Sequence, residues 1–228
     1  MLKIPLRYEM NMGVLNQEEL NKLSHIKVAI IGLGGLGGNV ANQLLRLGVK
    51  HMILVDYDCF DESNLNRQLF SAMDNIGKFK VDIIADSLKL IDPNINLKLY
   101  KEKIQEVCDF KADYIIDCVD NIKSKIYLSK LSSKLNIPVL HGSSGGWYGQ
   151  VGWMSPKCTL IEDMYGEAKS GLEEKMLNPP FTVSIVASYM VCEFTKMIKN
   201  SSQIVLDELL LIDLLDYSVL RTGANKNG

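Results

Sequence analysis

Three sets of polar residues, far apart in the chain, each lie at or just beyond the end of an apolar run. They are Asp56 with Asp58; Ser63-Asn64-Leu65-Asn66-Arg67-Gln68 with Lys80 after it; and Asp120 with Asn121. In an open parallel sheet, the carboxyl ends of the strands face the ligand crevice. A guanidinium grips phosphate oxygens two at a time and an ammonium adds a compact charge, so Arg67 with Lys80 suits a triphosphate better than hydride chemistry. Asp120, at a strand-to-helix junction, can hold Mg²⁺ through oxygen. Singly, plainer readings stay open: Arg67 as a surface charge, Lys80 on a solvated helix face, Asp120 as an ordinary N-cap. Only their joint occurrence argues for a site.

The elements that must position them begin with Lys27 to Asp56. Val28 to Ile31 form a short apolar run, the mark of a strand buried on both faces. Gly32-Leu33-Gly34-Gly35-Leu36-Gly37 follows at once. Its first glycine allows a tight turn, the middle ones (Gly34, Gly35) let backbone amides approach a nucleotide, and Gly37 permits the next helix to pack closely on the sheet. That helix turns its N-terminus toward an anionic ligand. A second apolar run, Met52 to Val55, ends in Asp56, placed to accept from ribose hydroxyls.

Around this unit the spacing predicts a helix over 17–24 with Asn16 as N-cap, inside an N-terminal segment of residues 1–26. Residues 57–77 read as a functional loop, and 78–91 as a helix stopped by Asp92-Pro93. Strands near 97–100, 112–116 and 138–140 alternate with a helix over 122–135. The expectation is therefore an α/β fold: a Rossmann-like, doubly wound, mostly parallel sheet, extended by antiparallel C-terminal strands at 150–154, 208–213 and 217–221. Residues 27–228 read as a single domain. A loop over about 157–180 is expected to cross the site, 181–198 to be a buried helix, and the last residues a frayed tail.

Composition narrows the classes. A formal charge of −2 offers no overall attraction for nucleic acid or anionic membrane. Five cysteines without framework spacing point to a reducing cytosol. No leader-like start and no apolar run near the roughly 20 residues of a bilayer span are read from the sequence, so a cytoplasmic protein is expected. His25, His51 and His141 read as structural, Cys118 likewise, and Cys192 as a buried small hydrophobe.

Four linked motifs then carry a resemblance. GLGGLG, the D-x-D-x(4)-S-N-L-x-R-Q run from Asp56 to Gln68, the G-x-x-K from Gly77 to Lys80, and the D-C-x-D-N from Asp117 to Asn121 keep the order and spacing of the ThiF/MoeB/HesA family, relatives of ubiquitin-activating enzymes. The resemblance covers about residues 7–215. It implies ATP-dependent adenylation of the C-terminal Gly-Gly carboxylate of a small ubiquitin-like sulfur carrier, with Mg²⁺ at Asp120, and a homodimer. It matches Gly35, Asp56, Ser63 to Arg67, Lys80, Asp120 and Asn121 to ATP-binding positions. Arg67, Lys80 and Asp120 would be the catalytic set, with Gly32, Gly34 and Asp58 beside the nucleotide.

Departures matter too. Many members carry two Cys-x-x-Cys pairs for structural zinc, whereas Cys158 here is followed at 161 by isoleucine, so no zinc is expected. No cysteine stands between 159 and 191 for a covalent acyl link, so the reaction is expected to stop at the acyl-adenylate. In the family an arginine of the partner's N-terminal RYxRQ segment reaches the triphosphate; here Arg7-Tyr8-Glu9-Met10-Asn11 keeps the first arginine and has Met10 for the second, so either Arg7 substitutes or the trans contact is missing. Two enzymatic rivals remain, activation of a tRNA-attached carboxylate and an NAD-dependent oxidoreductase. A third is a non-catalytic scaffold for nucleotide and a ubiquitin-like partner.

Overall fold

The computed structural model describes residues 4–107, 111–166 and 176–222. Cys108, residues 167–175 of the expected crossing loop, and the tail from 223 lie outside the described residues.

Alternation along the first strands sets the layers. In β1 (Lys27–Ile31), Val28 and Ile30 face one apolar cluster while Ala29 and Ile31 face another, and β2 (His51–Val55) divides Met52 and Leu54 from Ile53 and Val55 in the same way. A strand buried on both faces needs helices on both. The first cluster is filled from α2 (Gly35–Leu47), α3 (Lys80–Ile91) and a long helix, α6 (Pro180–Ile198), through Leu44, Ile84, Met190 and Phe194. The second is filled from α4 (Ile122–Leu135) and α5 (Leu160–Tyr165) through Leu128 and Ile161.

One eight-stranded sheet joins the layers. With β3 (Asn96–Tyr100), β4 (Tyr114–Asp117), β5 (Val139–Gly145), β6 (Tyr148–Met154), β7 (Leu210–Asp213) and β8 (Ser218–Arg221), its order is β3-β2-β1-β4-β5-β6-β7-β8. The first five strands run parallel, and β6, β7 and β8 are added antiparallel. The order reverses between β1 and β4, so the crevice beyond their carboxyl ends lies where the Gly32 turn and the Asp117–Asn121 turn meet.

Two local readings need correction, and the N-terminal segment holds one more helical region than the spacing showed. Residues 160–165 are helical, not loop; the run is too short, and its acids too dense, for a period to show. An eight-residue 3-10 helix, Leu6–Gly13, precedes α1 (Gln17–Leu23) and buries Tyr8, while Asn16 forms a capping box with Glu19 as expected. And α6 is buried on one side only: Phe181, Ser184, Ile185, Ser188 and Cys192 are exposed, so Cys192 is not the buried hydrophobe its apolar neighbours suggested. By length and hydropathy α6 is the single described helix that could cross a bilayer, yet half of it is buried, in contact with β5, β6 and α2, which is how a core helix behaves.

The glycine turn shows why α2 sits where it does. Gly32 has φ +85°, and a Cβ there would stand 2.7 Å from the Cys118 carbonyl oxygen of β4's turn. A Cβ on Gly37 would stand 1.8 Å from the Gly32 carbonyl oxygen, backbone against backbone with nothing able to yield. Gly37→Ala is therefore expected to lower unfolding stability by about 3 kcal/mol or more, read from the urea midpoint. A midpoint equal to the parent's would mean that α2 does not approach the turn this closely.

Candidate nucleotide-binding site

A cavity of about 420 Å³, within the usual range for small-molecule sites, opens at the switch point. Gly32, Gly34 and Gly35 line it, and α2 begins there, so the amides of its first turn, which have no partner within the helix, open at the cavity. Asp56, Asp58, Arg67, Lys80, Asp120 and Asn121 line its walls. The three separated sets of residues thus converge on one space.

Each side chain has a traceable reason for its place. Asp56, 8% exposed, accepts from the Leu33 amide through Oδ2 at 2.6 Å and from the Asp58 amide through Oδ1 at 2.8 Å, so it ties the glycine turn to the loop after β2. Burial raises its pKa above the ordinary carboxylate range, opposed by the Lys80 charge and the two amide bonds. Each oxygen keeps a lone pair for a ribose hydroxyl. Lys80 opens α3 and is 6% exposed, which rules out the solvated-face reading; its Nζ lies 3.2 Å from Asp58 Oδ2.

Arg67 is held by its own loop. Its Nη1 donates to the Ser63 carbonyl and to Asn66 Oδ1, both at 2.8 Å, and among the described residues the rest of the guanidinium has no partner, which leaves it for an anion in the cavity. Ser63 and Asn64 are not in the lining. They build the short turn behind Arg67, where Asp61 Oδ1 accepts from the Ser63 amide, Asn64 Oδ1 accepts from the Asp61 amide, and the Asn64 carbonyl accepts from the Arg67 amide.

Asp120 is not an N-cap. Asn121 takes that role on α4, its Oδ1 accepting from the Ser124 amide at 2.9 Å, and Asp120 is left exposed with, among the described residues, one long hydrogen bond, 3.4 Å, from Asn121 Nδ2. Mg²⁺ binds through one or two carboxylates together with substrate phosphates, and an exposed carboxylate in the lining of the cavity fits a metal that arrives with a nucleotide. No group of three or more His, Cys, Asp or Glu among the described residues converges to hold a metal by itself.

Several lining residues escaped the sequence reading. Asn178 and Val183 arrive from the N-terminal end of α6, and Ser144 from β5. Lys103, after β3, stands 5.3 Å from the centre of the Tyr57 ring at the mouth, and the negative charge of Asp58 holds the Tyr57 hydroxyl above its usual pKa. None of these has a local signal. Gln68 had one, since it closes the motif that supplies Arg67.

Arg7 is elsewhere. Its Nη1 pairs with Asp92 Oδ1 at 2.9 Å, and Tyr8 donates its hydroxyl to Asp92 Oδ2 at 2.9 Å, just before β3 and so at the amino ends of the strands, opposite the cavity.

Comparison with known proteins follows the same lines. The model of the ThiF family matches residues 7–227. A tRNA threonylcarbamoyladenosine dehydratase of Bacillus subtilis (strain 168) is 35% identical over 139 residues, 59% of this chain and 55% of that protein. A probable molybdopterin-synthase adenylyltransferase of Gracilaria tenuistipitata var. liui is 30% identical over 209 residues, 86% of this chain and 58% of that protein. The chain thus spans little more than half the length of these relatives. Among solved structures, E. coli MccB with ATP superposes with a TM-score of 0.79 at 22% identity, covering 96% of this chain and 71% of that one, which is a likeness of fold.

Lys80→Met keeps the volume and stem of the side chain but removes its charge. ATP affinity measured by isothermal titration should fall at least about tenfold. The thermal midpoint should barely move, because the Asp58 side chain left behind is 47% exposed and hydrated. Unchanged affinity would take Lys80 out of the nucleotide site.

Proposed function

The chain belongs to the ThiF family, and we propose that it is an ATP-dependent adenylyltransferase that activates the C-terminal Gly-Gly carboxylate of a small ubiquitin-like sulfur carrier protein. The observation that carries this reading is the meeting of Arg67, Lys80 and Asp120 in one cavity over the glycine turn. Two cations and an exposed carboxylate meeting at the glycine turn favour a nucleoside triphosphate with its metal over a dinucleotide, and they count against a scaffold that does no chemistry.

In the proposed reaction a carboxylate oxygen of the carrier bonds to the α-phosphorus of ATP. The bond from that phosphorus to the bridging oxygen breaks, and pyrophosphate leaves with the electron pair. The nucleophile is already ionised near pH 7, so no general base is needed. What the protein must supply is approach of two anions and stabilisation of charge on the departing oxygens. Amides of the turn and of α2 hold the phosphates, Lys80 and the free side of Arg67 offset the developing charge, and Asp56 fixes the ribose. Mg²⁺, when bound at Asp120, would neutralise further charge on the pyrophosphate. Gly32, Gly34, Gly35, Asp58 and Asn121 shape the contact surface, while Ser63 and Asn64 act through Arg67.

Activation of a tRNA-attached carboxylate is the second reading. It is favoured by the 35% identity to the B. subtilis dehydratase. The alignment with the algal adenylyltransferase runs over 86% of this chain against 59%, and the charge of −2 gives RNA little to hold, so the carrier is preferred.

Two measurements test this. With a Gly-Gly carrier, the protein should exchange labelled pyrophosphate into ATP, and Asp120→Ala should lower that exchange at least about 100-fold with the thermal midpoint unchanged. Exchange supported by tRNA and by no carrier would move the assignment to the second reading, and an unaltered Asp120→Ala variant would remove that residue from the chemistry. The reading also includes a homodimer; sedimentation equilibrium should give twice the chain mass, and a monomer at micromolar concentration would exclude it.

A further inference from the structure

Directly behind the turn that carries Asp120, three ionisable side chains are shut away from water. Asp117 ends β4, Lys125 lies in the first turn of α4, and His141 stands on β5, with side chains 2%, 2% and 0% exposed. Asp117 Oδ2 accepts from His141 Nδ1 at 2.7 Å and lies 3.7 Å from Lys125 Nζ, and its Oδ1 accepts from the Val119 amide at 3.1 Å. Lys125 Nζ also donates to the Gly142 carbonyl at 3.2 Å. Burial pushes Asp117 upward, but the Lys125 charge, His141 and the Val119 amide outweigh it and keep the carboxyl below its ordinary range.

A buried charge cluster is a costly way to hold three elements together. Apolar residues of similar volume generally do so as well or better. What ions and directed hydrogen bonds add is a fixed geometry, and here their targets are specific. Asp117 grips the amide of Val119, one residue before Asp120. Lys125 follows Ser124, whose amide is held by Asn121, one residue after Asp120. Gly142 leads along β5 to Ser144, and Cys118, Val119, Asn121 and Ser144 all line the cavity. Asp120 itself is exposed and, among the described residues, its side chain makes a single long hydrogen bond, so its carboxylate is located by its backbone on either side.

We infer that Asp117 and Lys125 are positioning residues for Asp120: the Asp117–Lys125–His141 cluster fixes the 117–121 turn so that the Asp120 carboxylate meets the metal brought by the nucleotide. This rests on the reading of Asp120 as the magnesium-holding residue. A cluster that merely stabilises the fold would leave metal coupling unchanged in any variant that still folds.

The test needs no acyl substrate. ATP affinity is measured by isothermal titration with Mg²⁺ and again in EDTA, and the ratio of the two is the readout. Asp120→Ala defines the ratio without the carboxylate. Lys125→Met should lower the parent's ratio at least fivefold toward that value, with affinity in EDTA within twofold of the parent. Lys125→Arg, which keeps a charge for Asp117, should return the ratio to within twofold of the parent. If Lys125→Met does not fold, the double variant Asp117→Asn/Lys125→Met leaves no uncompensated charge and is expected to show the same loss. Folded variants with the parent's ratio would overturn the inference and leave the role of Asp120 intact. A parent ratio no higher than that of Asp120→Ala would overturn both.

Discussion

The carboxylate of Asp56 is the joint on which the site depends. It accepts from the amide of Leu33 in the turn after β1 and from the amide of Asp58 in the loop after β2, so two strand ends that could diverge are held at a fixed separation. Everything that reaches the cavity from either side inherits that separation. Asp58 carries Lys80 across by an ion pair, and the glycine turn lies so close to the Cys118 carbonyl that a Cβ on Gly32 would not fit. Desolvation works against this carboxylate and pushes its pKa upward, and the two backbone donors with the nearby lysine oppose that push.

Much of this was legible in the sequence because its causes are local. An apolar run, a glycine turn, a helical period and an acid at the next strand's end are all contained between Lys27 and Asp56, and the observed elements follow them closely. The antiparallel extension was legible too, from glycine-rich and extended stretches after His141. What failed to show was whatever depends on which neighbour covers a surface. Hydropathy over 181–198 says that a helix is apolar but not that β5, β6 and α2 cover only one side of it, and so Cys192 was misplaced.

The candidate site divides in the same way. Residue types in the motifs pointed at the cavity, yet their division of labour did not appear until the chain was folded. Ser63 and Asn64 stand one step back, buttressing Arg67, and the cap of α4 falls to Asn121, which frees Asp120. The Asp117–Lys125–His141 cluster needs three elements to come together, and no spacing announces it. Lys80 is the reverse case: helical periodicity offered a solvated face, and the fold buried it because α3 begins at the cavity wall.

The Arg7 contact has a bearing on the amino end of the chain. Asp92 is 1% exposed, and its nearest counterion is Arg7 of the N-terminal 3-10 helix, with Lys50 more distant at 3.9 Å. Residues 4–23 therefore act as a strap under the sheet, and a chain begun at β1 would lose Leu15, Leu20 and Leu23 from the apolar cluster and leave Asp92 with Lys50 in place of Arg7. Trimming at this end is thus an operation on the core, however peripheral the segment looks on paper.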